Sequence, residues 1–182
     1  MLLEIEKLAV QFGGIRAVDD VSFHIEQGEV FTIIGPNGAG KTTVMRTIMG
    51  ILTAHSGRIL FEGQDLVPVA GHRRAHLGIG YMPEDRRLVP QLTTEENIML
   101  PIWATGAEKA EERLAWIFDL MPEVGEFRNR RASELSGGQQ KFVAFARALM
   151  AGARLLLLDE PGEGIAPVFA RRMIEILQDL KR

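Results

Sequence analysis

Gly35-Pro36-Asn37-Gly38-Ala39-Gly40-Lys41-Thr42 is the stretch on which the reading of this sequence turns. Two glycines, the lysine and the threonine stand in the register of a phosphate loop. The flanks agree. Upstream, Glu29 to Ile34 is an apolar, β-rich run, long enough for a strand buried on both faces. Downstream, Thr42 to Met49 reads as a helix with Val44, Met45, Ile48 and Met49 on one side. Glycines let successive backbone N–H groups point into one concavity, and the helix N-terminus adds partial positive charge. Lys41 supplies a full charge for β- and γ-phosphates, and the Thr42 hydroxyl can join a magnesium shell.

Working outward, Leu2 to Val10 reads as a strand turned by Gly13-Gly14, and Val21 to Ile25 alternates like a half-buried strand. Gly57 to Phe61 and Ile79 to Met82 are further strands, the latter stopped by Pro83. From Thr93 the character becomes helical. Thr94-Glu95-Glu96-Asn97 is a helix start with threonine at the cap and acids in the first turn, and Ala107–Met121 and Gly138–Met150 carry apolar residues three and four apart. Leu155 to Leu158 is a strand of four leucines, and Pro167 to Arg182 is a last helix with proline in its first turn. Strands alternating with helices predict an α/β fold. The reading is one nucleotide-binding domain over 1–182 with a mixed sheet and an inserted helical subdomain at about 93–152.

Two further motifs carry chemistry. Leu155 to Leu158 ends in Asp159-Glu160, and a strand that dry needs a reason to end in two carboxylates. Beside a phosphate loop, Asp159 would hold magnesium and Glu160 would polarise a water for attack on the γ-phosphate. Leu135-Ser136-Gly137-Gly138-Gln139 is a capped helix start and a second anion-holding N-terminus. One ATP uses both helix starts only if two chains meet.

Composition sets bounds. The 182 residues carry a net charge of −3, from 21 Lys+Arg against 24 Asp+Glu, which argues against a nucleic-acid partner. No cysteine means no disulfide, thiolate metal site or cysteine nucleophile, in keeping with a reducing compartment. No apolar run is long enough to span a bilayer, and Met1 to Glu6 lacks the basic start of a secretory signal. The expectation is a cytosolic, single-chain globular protein.

The phosphate loop, the LSGGQ at Leu135 to Gln139 and the LLLLDE at Leu155 to Glu160, in this order, resemble the ATP-binding subunit of ABC transporters over the whole chain. The resemblance implies a dimer sandwiching two ATP molecules with Mg2+. Gly35, Pro36, Asn37, Gly38, Ala39, Gly40, Lys41, Thr42 and Thr43 of one subunit would face Ser136, Gly137, Gly138 and Gln139 of the other. Phe12 matches the aromatic that stacks on adenine, and Val18 would lie beside the ribose. Glu84 stands where most of the family has a glutamine; either can offer oxygen to magnesium or its water, so the metal set is Thr42, Asp159 and Glu84. Pro83 to Arg87, Leu92 to Asn97 and Asp159 to Pro167, with Gly-Ile-Ala-Pro after the acid pair, are similar to the second ATPase of branched-chain amino acid importers, a pattern largely shared with urea and short-chain amide importers. Implied partners are a second ATP-binding subunit (a copy or a relative), membrane permease subunits and, indirectly, a solute-binding protein. The implied location is peripheral, on the cytoplasmic face of the plasma (inner) membrane. Met99, Leu100, Ile102 and Trp103 would face the membrane subunits or pack the helical subdomain.

Two departures from the family stand out. Gly162 replaces a Ser or Thr that follows Glu-Pro. The family also continues to a strand ending in a histidine that contacts the γ-phosphate. Here the sequence ends at Arg182, and His24, His55, His72 and His76 do not match that position. The expectation is a C-terminally short chain or impaired hydrolysis. The readings from other classes are an ATP-holding fragment without turnover and a non-transport ATPase of the same superfamily.

Overall fold

The computed structural model describes residues 1–152 and 154–180. They fall into two compact units, Met1–Arg74 and Ala75–Leu180.

The first unit is built on β1 (Leu3–Phe12), β2 (Ile15–Ile25), α1 (Lys41–Ile48), β3 (Ser56–Phe61), β4 (Gln64–Asp65) and the single turn α2 (Gly71–Arg74). The four strands form an antiparallel sheet in the order β2-β1-β3-β4. Leu3, Ile5, Leu8 and Val10 of β1, Ile59 and Phe61 of β3, and Val44 and Ile48 of α1 are all buried in this unit. Removing such side chains from water is the main stabilising term. β2 starts at Ile15, earlier than the alternation from Val21 predicts, because Phe12 pairs with Ile15 directly across Gly13-Gly14. Both turn glycines have positive φ (51° and 92°), as a tight hairpin requires.

The expected buried strand over Glu29–Ile34 is not found. The segment joins neither sheet, and Ile34 is 90% exposed. Apolar composition favours burial, but a strand also needs a ladder partner. Both edges of β1 are taken by β2 and β3. Phe31 instead stacks on Phe23 of β2, with ring centroids 4.8 Å apart.

Arg74 organises the end of this unit. It is 4% exposed, and its guanidinium donates to the carbonyls of Thr47, Ile48, Leu66 and Val69 at 2.6–2.9 Å. Thr47 and Ile48 close α1, where a cation also complements the helix dipole.

The second unit contains β5 (Ile79–Met82), α3 (Thr94–Thr105), α4 (Ala110–Leu120), α5 (Pro122–Gly125), α6 (Gly137–Ala151), β6 (Leu155–Leu158) and α7 (Pro167–Leu180). β5 and β6 pair in parallel, Ile79 opposite Leu155 through Met82 opposite Leu158. α6 is the central helix. Phe142, Val143, Phe145, Ala146 and Leu149 are buried with Ile98 and Ile102 of α3, Ile117 of α4 and Met173 and Ile176 of α7. Phe169 of α7 meets Phe142 edge-on at 5.5 Å.

α3 has the expected threonine–glutamate start, with the cap at Thr93, one residue ahead of the expected stretch. Thr93 Oγ1 accepts from the Glu96 amide, and Glu96 Oε2 accepts from the Thr93 amide at 2.7 Å. α4 starts at Ala110 rather than Ala107. Gly106 and Lys109 both adopt left-handed φ (65° and 61°), which keeps the connection out of the helix. The last helix is seen to Leu180; Lys181 and Arg182 of the expected helix lie outside the described residues. Of the apolar stretch after Asn97, Ile102 is buried and Met99 packs on the core, whereas Trp103 is 57% exposed.

Candidate functional site

In the first unit the phosphate loop is an irregular connection into α1. Gly38 (φ 82°) and Gly40 (φ 93°) take conformations that L side chains rarely adopt. At Gly40 space is also absent: a Cβ there would lie 2.6 Å from the Ala17 carbonyl oxygen and 3.1 Å from Val18 Cγ2. The loop therefore lies directly on β2, and only glycine fits. Gly40 is the N-cap of α1, and no side chain caps this helix. Lys41 Nζ donates to the carbonyls of Gly35 (2.9 Å) and Pro36 (3.0 Å), so the ammonium is pinned to the loop itself. Thr42 and Thr43 follow in the first turn, both half-buried.

A cleft of about 390 Å3 opens beside the loop, lined by Ala17, Val18, Phe31, Ala39, Gly40 and Lys41 among others. That size suits a small organic ligand. Val18 is buried and belongs to this wall. Phe12 is 46% exposed at the end of β1 and does not line the cleft.

In the second unit β6 delivers the acid pair. The Asp159 amide donates to the Met82 carbonyl at 3.0 Å, continuing the β5–β6 ladder one residue beyond the strands. Its side chain is fully buried, and Oδ2 accepts from the Tyr81 hydroxyl at 3.3 Å. Glu160 turns sharply, at φ 48°. Carboxylate oxygens of Glu84, Glu160 and Glu163 lie within 4.8 Å of one another. Sequence reasoning singled out Glu84 and Glu160; the fold brings them together and adds Glu163. Hydrogen bonding to Glu160 and its negative charge hold the Glu163 carboxyl above the ordinary glutamate range.

Ser136 caps α6 reciprocally with Gln139. Ser136 Oγ accepts from the Gln139 amide (3.3 Å), and Gln139 Oε1 accepts from the Ser136 amide (2.9 Å). A side chain at Gly138 would come within 3.3 Å of the Phe169 ring. Gln140 carries Arg86, whose Nη1 donates to Oε1 at 3.0 Å, and Arg147 Nη1 donates to the Arg87 carbonyl at 2.8 Å. These contacts anchor the loop after Glu84 to α6.

Three participants escaped sequence reasoning. Tyr81 and Glu163 stand inside stretches that were singled out, but neither was given a role there. Lys141, buried on α6, did leave a signal: it stands four residues before Phe145 and eight before Leu149, on the face that sequence periodicity assigns to the core.

Residues 18–163 match the family described as ABC transporter. The chain belongs to that family. Among its ABC relatives, the high-affinity branched-chain amino acid transport ATP-binding protein BraG of Pseudomonas aeruginosa is 38% identical over 181 residues. That match covers 100% of this chain and 78% of the relative. A probable branched-chain amino acid transport ATP-binding protein, LivF of Archaeoglobus fulgidus, is 33% identical over 99% of this chain and 78% of its own length. The lipopolysaccharide export system ATP-binding protein LptB of Escherichia coli is 36% identical over 97% and 76%. Among solved structures, a nucleotide-free ATP-binding cassette from an ABC transporter superposes with a TM-score of 0.83 at 31% identity, covering 99% of this chain and 77% of that one. A dimeric cassette bound to ADP and phosphate gives 0.87 at 26%, covering 100% and 83%. The protein is thus an α/β nucleotide-binding ABC ATPase, and no helix among its described residues is long and apolar enough to cross a membrane.

Proposed function

We propose that this chain powers the import of branched-chain amino acids by binding and hydrolysing ATP at the cytoplasmic face of a membrane. The observation that carries the ATPase part is the phosphate loop. Gly40 is sterically required against Ala17, α1 has no side-chain cap, and Lys41 is held within the loop by two carbonyls. Such a loop offers amide donors, a helix N-terminus and one cation to a polyphosphate. The identity to BraG and LivF over essentially the whole chain supports branched-chain amino acids as the cargo.

In this reading Gly35 to Thr43 cradle the phosphates, Val18 flanks the ribose and Phe12 meets the adenine. Thr42, Asp159 and Glu84 offer only oxygen donors, which suits magnesium. Magnesium, when bound, neutralises charge between the β- and γ-phosphates. Tyr81 holds the Asp159 carboxylate in place through its hydroxyl. Glu160 orients and polarises the attacking water. Ser136, Gly137, Gly138 and Gln139 act on the ATP of a second ATP-binding subunit, and residues 93–152 work as a helical subdomain against permease subunits. ATP contacts two subunits in the closed dimer and one in the open dimer, so it favours closure by that difference. Hydrolysis removes the bridge.

The test uses the purified full chain with Mg-ATP. Glu160→Gln should bind ATP like the wild type and turn over at least about 100-fold more slowly. Unchanged turnover would overturn the role of Glu160. In proteoliposomes with its membrane subunits, the wild type should accumulate leucine only with ATP. A second reading, lipopolysaccharide export, has the comparable identity to LptB behind it. ATP-driven extraction of lipopolysaccharide without leucine uptake would favour it.

A further inference from the structure

We propose that Lys141 is a positioning residue for Glu160, tying the loop that carries Glu160 to the helix that begins at Ser136. The inference rests on the reading above that Glu160 activates water. Lys141 is 2% exposed, so its ammonium has left bulk water and needs acceptors. It finds them in the acid loop: Nζ donates to the backbone carbonyl of Glu160 at 2.8 Å and to that of Glu163. Burial and the neighbouring Arg86 push the Lys141 pKa down, and the negative charges of Glu163, Glu84 and Glu160 oppose that shift.

The loop needs such a tie for two reasons. Glu160 sits at φ 48°, a left-handed conformation that is unfavourable for a non-glycine residue and persists only when the surroundings enforce it. The Glu163 amide closes a turn on the Glu160 carbonyl at 3.1 Å, and Lys141 is the second donor to the same oxygen. The loop also gathers three carboxylates within 4.8 Å, which repel one another. A buried cation bonded to the backbone beneath them offsets that repulsion without occupying a carboxylate oxygen.

Lys141 stands five residues after Ser136 on one continuous helix. In the proposed sandwich, Ser136 to Gln139 serve the partner's ATP and Glu160 serves the chain's own. A displacement of α6 is therefore transmitted through Lys141 to Glu160, which links the two ATP sites mechanically.

The experiment is a double-mutant cycle on the full chain: Lys141→Met in the wild-type and Glu160→Gln backgrounds, with kcat, KM, melting temperature and hydrogen exchange of the Glu160–Glu163 amides. The expected result is a roughly 10- to 100-fold fall in kcat with KM within about threefold, since misplacing a reacting group costs rate more than binding. In the Glu160→Gln background the further loss should stay below about twofold, because a residue acting only through Glu160 has nothing left to position. Exchange at Glu163 should quicken at least about fivefold. A lowered melting temperature with unchanged kcat, or equal losses in both backgrounds, would overturn the proposal. If wild-type turnover is absent or insensitive to Glu160→Gln, it is the functional reading that fails. Exchange then decides the tether alone, and unchanged exchange at Glu163 refutes it. Should Lys141→Met not fold, Lys141→Gln, which keeps one donor, should give an intermediate loss by the same readouts.

Discussion

Replacing Gly40 by alanine tests the steric argument for the phosphate loop. Two costs add. The φ of 93° puts a side chain in the left-handed region, at about 1–2 kcal/mol. The new Cβ would also lie 2.6 Å from the Ala17 carbonyl oxygen, backbone that cannot rotate away. Reaching an ordinary contact needs a shift of about 0.8 Å, and overpacking of this kind costs about 1–3 kcal/mol. The sum, about 2–5 kcal/mol, corresponds to a melting point lower by roughly 5–15 °C for a chain of this size. Gly38→Ala is the control. Its φ of 82° carries the same conformational cost, but nothing lies within 4 Å of its Cβ, so about 1–2 kcal/mol is expected. Thermal melting without nucleotide reads the difference, and a fluorescent ATP analogue then reads affinity, which should fall at least about tenfold in Gly40→Ala as the amide cradle moves. If the two variants melt within about 2 °C of each other, the close approach of Gly40 to β2 has no energetic weight and the reasoning fails.

Arg74→Met leaves four carbonyls, three of them in buried contacts, without their shared donor and should cost about 3–5 kcal/mol, or roughly 6–15 °C in melting temperature. Arg74→Lys, which keeps the charge but not the fork, should recover part of that loss on the same instrument. The Glu163 carboxyl, with Glu160 as hydrogen-bond partner and nearby charge, titrates above the ordinary glutamate range. A raised folded-state pKa gives stability at acid pH that is lost as pH rises through that value. Glu163→Gln should therefore melt higher than wild type at pH 7, with the gap closing towards pH 4; a gap that widens on acidification would reverse the assignment.

Much of the local structure was legible because it is written locally. The phosphate loop needs its glycines and lysine at fixed spacing, the cap of α3 needs a threonine and a glutamate three positions apart, and Leu155 to Leu158 needs no distant information to read as a strand. The same residues carried the likeness to the ABC family that the comparisons establish. Pairing was not legible. Glu29–Ile34 has the composition of a central strand and forms none, because whether a run finds a ladder partner is decided by segments far away in sequence.

Residue identity and spacing alone specify which groups could hold a polyphosphate and an attacking water, since that chemistry depends on nothing more distant. Tertiary structure alone decided what surrounds them. It laid Gly40 against Ala17, brought Glu84 and Glu163 to Glu160, set Tyr81 on Asp159, and buried Lys141 beneath the acid loop. Those contacts join residues up to 78 positions apart. They are fixed by packing within each unit, and spacing along the sequence does not encode them.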